Sequence, residues 1–147
     1  ICPIDIILQI IYNLSLARNL GTIEAVGEIL VFLDDRYYLE NDCISQFVKK
    51  LYPSKWLFGN KGKDKKSFVE NFSCIYRDEF INAGMFNQSC KLYGFLTQET
   101  RERFRRQNFK FEYVPNAKCE IILDSKAKYK KRDEIRQSKN ILFKMDL

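Results

Sequence analysis

The sequence holds 147 residues, of which 46% are apolar, 14% aromatic and 30% charged, with a formal net charge of +6. That length and balance fit one compact domain with its own hydrophobic core; they exclude a disordered tail, a collagen-like repeat and a disulfide-stapled miniprotein. The chain has no histidine, which removes Ser-His-Asp and Cys-His nucleophiles and two-histidine zinc enzymes, so any catalysis would have to use carboxylates, lysines or metal-bound water.

In chain order, Ile4, Ile7, Leu8, Ile11 and Leu14 recur at helical spacing and predict an amphipathic helix over 3–18, started by Pro3 and stopped by Asn19 and Gly21. Thr22 is the expected N-cap of a second helix carrying Ile23, Val26, Ile29, Leu30 and Leu33, which ends near Asp34-Asp35-Arg36. Asp42 then caps a third helix with Ile44, Phe47, Val48 and Leu51 on its inner face before Pro53. Lys55 to Phe58 reads as a short strand or an aromatic anchor, and the polar stretch 59–66, with two glycines, as a surface turn. Helices are expected at 73–83, with Ile75, Phe80 and Ile81 inward, and at 86–93, ended by Gly94. Alternation at Phe109, Phe111 and Tyr113 predicts a strand, Pro115-Asn116 a turn and Cys119 to Leu123 a second strand, making a hairpin followed by a charged helix at 126–139. The expected class is therefore α+β, a helical N-terminal half followed by a β-hairpin, in a winged-helix-like arrangement. One domain spans 1–147, with residues 1–40 as a helical extension and 41–140 as the winged-helix-like part.

Five cysteines, Cys2, Cys43, Cys74, Cys90 and Cys119, lack any close pair, so the sequence predicts no zinc or other metal site and no cofactor. Four of the five have apolar neighbours and read as small reduced core residues, which points to an intracellular setting, nuclear if the chain binds DNA. The opening apolar run is broken by Asp5 and Gln9 and is too short and polar to span a bilayer, so no membrane association is expected.

Charge is uneven: residues 1–60 carry five Lys/Arg and seven Asp/Glu, whereas 61–147 carry twenty and twelve. A basic second half favours a polyanionic partner through counterion release. Arg101, Arg103, Arg105, Arg106 and Lys110, interleaved with Phe104 and Phe109, and the run Lys126, Lys128, Lys130, Lys131 are the candidate phosphate contacts. Equally, each run can be a solvated face.

Phe47-Val48-Lys49-Lys50-Leu51-Tyr52, the Trp56 to Ser67-Phe68-Val69 segment, Phe86-Asn87-Gln88-Ser89-Cys90-Lys91-Leu92-Tyr93-Gly94-Phe95 and Phe111-Glu112-Tyr113 follow one another in an order that resembles the DNA-binding domain of heat-shock transcription factors, over about residues 44–140. The resemblance implies a recognition helix at 86–93 with Gln88 and Lys91 near base edges. Gln88 stands where that family has a guanine-reading arginine, so no target sequence carries over. The expected function is nucleic-acid binding, to DNA, in a regulatory protein. Two alternatives stay open. Ile4, Ile7, Ile10 and Ile11 offer an apolar surface for a protein partner or self-association without nucleic acid. Asp124-Ser125-Lys126 after an apolar strand looks like half the motif of PD-(D/E)xK magnesium nucleases, with Glu112 or Glu99 as the second acid.

Overall fold

The computed structural model describes residues 13–62, 67–90 and 95–121. Elements run in the order α1 (Leu14–Glu24), β1 (Ile29–Leu33), β2 (Tyr37–Leu39), α2 (Cys43–Lys50), β3 (Lys55–Asn60), β4 (Phe72–Tyr76), α3 (Arg77–Asn82), α4 (Leu96–Arg106) and β5 (Lys110–Ile121). The strands form one mixed sheet in the order β1-β4-β3-β5-β2. All neighbours are antiparallel except β3 and β5, which are parallel. A parallel pair cannot be closed by a tight turn and needs a long crossover. Here β4, α3 and α4 lie between the two partners in the chain.

Both faces of the sheet are covered, and side-chain alternation sorts residues between them. Leu30 and Phe32 of β1, Trp56 and Phe58 of β3 and Ile75 of β4 join Phe80 of α3, Phe86, and Leu96 and Phe104 of α4 in one core. On the other face Leu57, Phe72, Cys74 and Val114 pack with Cys43, Phe47 and Leu51 from α2 and its end. Trp56 is the hub of the first core: its ring meets those of Phe32, Phe68, Phe80, Phe86, Phe104 and Phe111 at centroid separations of 4.8–6.1 Å.

The class is α+β, as expected, but the winged-helix-like arrangement is not present, and the differences have local causes. Residues 29–33 are a strand, not the end of a helix. The run Ile-Leu-Val-Phe-Leu, whose first four residues pack alternately into the cores on both faces, satisfies helical and extended spacing alike, and tertiary pairing with β4 decides it. Helix α1 runs straight through the expected stop at Asn19 and Gly21. The buried Asn19 amide donates to the Phe86 carbonyl at 2.8 Å and accepts from the Phe86 N–H at 3.0 Å, which fixes it inside the helix. Thr22 is no N-cap; its hydroxyl donates back to the Arg18 carbonyl, and the real cap is Asn13, which accepts from the Leu16 N–H at 3.0 Å. In α2, Phe47 and Leu51 point inward as expected, while Ile44 and Val48 are exposed. Its N-terminus at Asp42 has φ 63° and no side-chain capping bond. The expected helix 73–83 is strand β4 leading directly into α3.

The expected hairpin is a single strand. β5 pairs with β3 through Gly59 opposite Val114, then jumps to Asn60 opposite Lys118, before pairing with β2 over Cys119–Ile121. Pro115-Asn116 therefore sits in a bulge, where a missing N–H breaks no ladder bond. Gly59 is required beside this bulge, because a Cβ there would lie 2.2 Å from the Phe72 ring and 2.7 Å from the Ala117 carbonyl oxygen. Gly59→Ala is expected to lower stability by about 2 kcal/mol through overpacking, seen as a lower urea midpoint at unchanged slope; an unaltered midpoint would refute the close approach.

Candidate functional site

The register pairs Leu33 with Phe72 and Phe58 with Ser73, so the carboxyl ends of β1 and β3 lie at the same edge as the start of β4. Polar groups collect there. Asp34 follows β1 directly, and its N–H donates to the Asn71 carbonyl at 3.1 Å, which continues the strand pairing into the turn. Its Oδ1 accepts from Arg18 at 3.4 Å, and its Oδ2 from Arg36 at 2.8 Å and from the Asn71 amide at 2.9 Å. Glu70 accepts from Arg18 at 2.9 Å through Oε1 and from the Thr97 hydroxyl of α4 through Oε2. Lys61, just beyond β3, donates to Asn71 Oδ1 at 2.9 Å.

The network is anchored to the core. Arg18 has a side chain only 11% exposed and lies over the Phe86 ring at 5.5 Å. The Glu70 carbonyl accepts from Ser73 Oγ at 2.7 Å, and that oxygen accepts from Trp56 Nε1 at 3.0 Å. Side chains from α1, the β1–β2 turn, the β3–β4 connection and α4 thus meet at one edge, with Arg36 and Lys61 among the more accessible members. Burial and the Asp34 charge push the neighbouring Tyr37 phenol above its ordinary range. Strand ends of this kind are where open α/β sheets take ligands, since turns supply polar groups that the packed sheet cannot.

The sequence-predicted residues lie elsewhere. Gln88 is exposed in a non-helical segment, where its carbonyl accepts from Asn13, and no recognition helix begins at Phe86. Lys91, Lys126, Lys128, Lys130, Lys131 and Asp124 fall outside the described residues, as do Cys2, the apolar positions 4–11 and the expected helix 126–139. Arg101, Arg103 and Arg106 do come together, along a cleft of about 520 Å³ beside α4. Arg103, however, serves the fold: it pairs with Glu99 and donates to the carbonyls of Ala83 and Met85. Arg105 turns away, over the Phe111 ring at 5.9 Å, and Lys110 opens β5. Phe104 is fully buried, so it is no base-stacking platform. For the nuclease alternative, Glu99 is tied to Arg103 and Glu112 to Lys55.

Four cysteines, Cys43, Cys74, Cys90 and Cys119, are free and buried. Burial pushes the Cys74, Cys90 and Cys119 thiols up to about 12, and Cys43 upward as well, so they are packing groups and not nucleophiles. The folded chain therefore holds these protons more tightly than the unfolded one. Their stabilising contribution is complete below the ordinary thiol value of 9.0 and is lost as pH rises toward about 12. Melting temperature should fall steadily across that interval; a flat profile would contradict the burial of the thiols.

Comparison with known proteins decides what architecture this edge belongs to. The catalytic domain of Drosophila β1,4-galactosyltransferase 7, solved with xylobiose, superposes with a TM-score of 0.67 at 13% identity, covering 86% of this chain and 60% of that one. The mannosyltransferase PcManGT from Pyrobaculum calidifontis, solved with GDP-Man and Mn2+, gives 0.67 at 18% identity, covering 84% and 40%. GalNAc-T7, solved with UDP, GalNAc and Mn2+, gives 0.68 at 12% identity, covering 88% and 35%.

The chain has their fold.

This glycosyltransferase fold, known as GT-A, is shared at identities that speak for architecture alone, and the chain spans about a third to three-fifths of the length of these neighbours. No family model and no curated protein matches the chain. The heat-shock-factor resemblance is thereby overturned: Phe47, Trp56, Phe68, Phe86 and Phe95, which helped carry it, are core residues around a mixed sheet, not a winged helix. The expectations of DNA binding, transcription regulation and a nucleic-acid partner fall with it, and the nuclease and self-association alternatives gain no support.

Two of these neighbours hold Mn2+. The described residues do not suit such an ion. Among them no group of three or more His, Cys, Asp or Glu stands together, and all four carboxylate oxygens of Asp34 and Glu70 already accept from a guanidinium, an amide or a hydroxyl. Sequence reasoning missed Arg18, Asp34, Arg36, Glu70 and Asn71. The available signal was Asp34-Asp35-Arg36 directly after an apolar run; with that run taken as a strand, the charges fall at its carboxyl end.

Proposed function

We propose that this chain is part of a glycosyltransferase-like protein and contributes the edge that takes the diphosphate of a nucleotide sugar. The observation that carries the reading is the Arg18–Asp34–Arg36–Glu70 network at the carboxyl ends of β1 and β3. Its support is the fold shared with transferases solved with GDP-Man or UDP. Arginines suit a diphosphate because a planar guanidinium donates two parallel bonds to phosphate oxygens. Holding them against carboxylates presets their direction, so less side-chain freedom is lost when the anion arrives.

The test is equilibrium binding of UDP, GDP, UDP-galactose and GDP-mannose to the chain with Mn2+ supplied. Saturable binding of at least one, competed by its nucleoside diphosphate, is expected; no binding by any of the four would overturn the reading.

A further inference from the structure

The Mn2+-bearing neighbours and the donor set of this chain disagree, and the disagreement is specific. A divalent cation needs several carboxylate or carbonyl oxygens left open to it, in a pocket of net negative charge. At this edge the carboxylates of Asp34 and Glu70 face the cations of Arg18 and Arg36, and Lys61 is tied in through Asn71. Guanidinium charge therefore already occupies the carboxylates that a metal would need, and Arg18, nearly buried against Phe86, cannot swing away without leaving the Glu70 carboxylate with no cation.

We propose that Arg18 and Arg36 supply the positive charge for the diphosphate themselves, so that this site takes a nucleoside diphosphate without a divalent cation. The inference rests on the proposed nucleotide-diphosphate reading and makes it more specific. Arg18 is the fixed member, locked by two carboxylates and an aromatic face. Arg36 is the accessible member, its side chain one-third exposed and aimed by the bond to Asp34. A phosphate oxygen arriving there meets a guanidinium already oriented. Charge-assisted bonds of this kind are worth enough to move affinity about tenfold or more when one is removed.

The test is calorimetric titration of the chain with UDP and GDP, once with Mn2+ and once with excess EDTA. Paramagnetic resonance of Mn2+ added to the protein alone is recorded in parallel. Expected are affinities in EDTA within about twofold of those in Mn2+, free-ion Mn2+ spectra in the presence of the chain, and a loss of about tenfold for Arg36→Ala, with Arg36→Lys intermediate. Circular dichroism confirms that the variants are folded, and Arg105→Ala, in the last turn of α4 over the Phe111 ring, should bind as the parent does. Nucleotide binding that appears only with Mn2+, stoichiometric Mn2+ uptake by the chain alone, or an Arg36→Ala affinity equal to the parent's would each overturn the inference while leaving the nucleotide site itself standing. Absence of binding in both conditions would overturn the inference and the proposed function together.

Discussion

Trp56→Ala is expected to cost about 3–5 kcal/mol, a large share of the roughly 5–15 kcal/mol that holds a domain of this size together. Trp56 is fully buried, and its indole is the point at which β3 touches rings from β1, α3, α4, β5 and the Phe68 and Phe86 segments. Nothing nearby can collapse into the space, because Phe80 and Phe104 already stack on each other at 5.9 Å and are themselves fully buried. The indole N–H also ends the chain of bonds through Ser73 to the Glu70 carbonyl, so the substitution loosens the site edge as well as the core. Trp56 is the one tryptophan in the sequence, so unfolding of the variant must be followed by circular dichroism. Trp56→Phe should lie between the two. A midpoint for Trp56→Ala near that of the parent would show that the aromatic hub is not the centre of the core.

Arg18→Met is the second large effect, and its cause is electrostatic. The methionine replaces the stem against Phe86 but leaves the nearly buried Glu70 carboxylate with no cation, and Asp34 with Arg36 and Asn71 alone. Breaking a buried pair from one side costs about 3–5 kcal/mol, mostly because a desolvated charge is left uncompensated. If that is the reason, Arg18→Met combined with Glu70→Gln should recover most of the loss, since glutamine keeps an oxygen for the Thr97 hydroxyl and carries no charge. Equal destabilisation in the single and double variants would instead assign the loss to packing. The same double variant should lose diphosphate affinity while regaining stability, which separates binding from folding.

Legibility in the sequence followed the kind of signal each element carried. Helix α2 is legible from Phe47, Leu51 and Pro53, although Ile44 and Val48 are exposed, and strand β3 is one of the two outcomes that the tryptophan segment allows. Strand β1 is not legible, since Ile29–Leu33 is apolar on both faces and no period distinguishes a strand buried on both sides from a helix. Read as a helix, that run puts Asp34 and Arg36 at a helix tail; paired as a strand, it puts them at the carboxyl end of β1, where the site forms. Strand β5 was divided into a hairpin because Pro115-Asn116 is a turn signal; whether it closes a hairpin or sits in a bulge depends on Gly59 and Ala117 across the sheet, which lie far apart in sequence. In the sequence, helix α4 reads only as a basic run. Its arginines are numerous, yet Arg103 is used to hold the carbonyls of Ala83 and Met85 in the turn after α3, a structural task that no local pattern announces. The thiols, by contrast, were predicted as small reduced core groups, and Cys43, Cys74, Cys90 and Cys119 are so placed.

The most direct check is amide chemical-shift mapping of the chain titrated with a nucleoside diphosphate. Saturable changes confined to residues 33–36, 61–62, 70–71 and 97, around Asp34 and Glu70, are the predicted result. Changes centred instead on Arg105 to Lys110, or none anywhere at saturating nucleotide, would contradict the assignment of a ligand to this edge of the sheet.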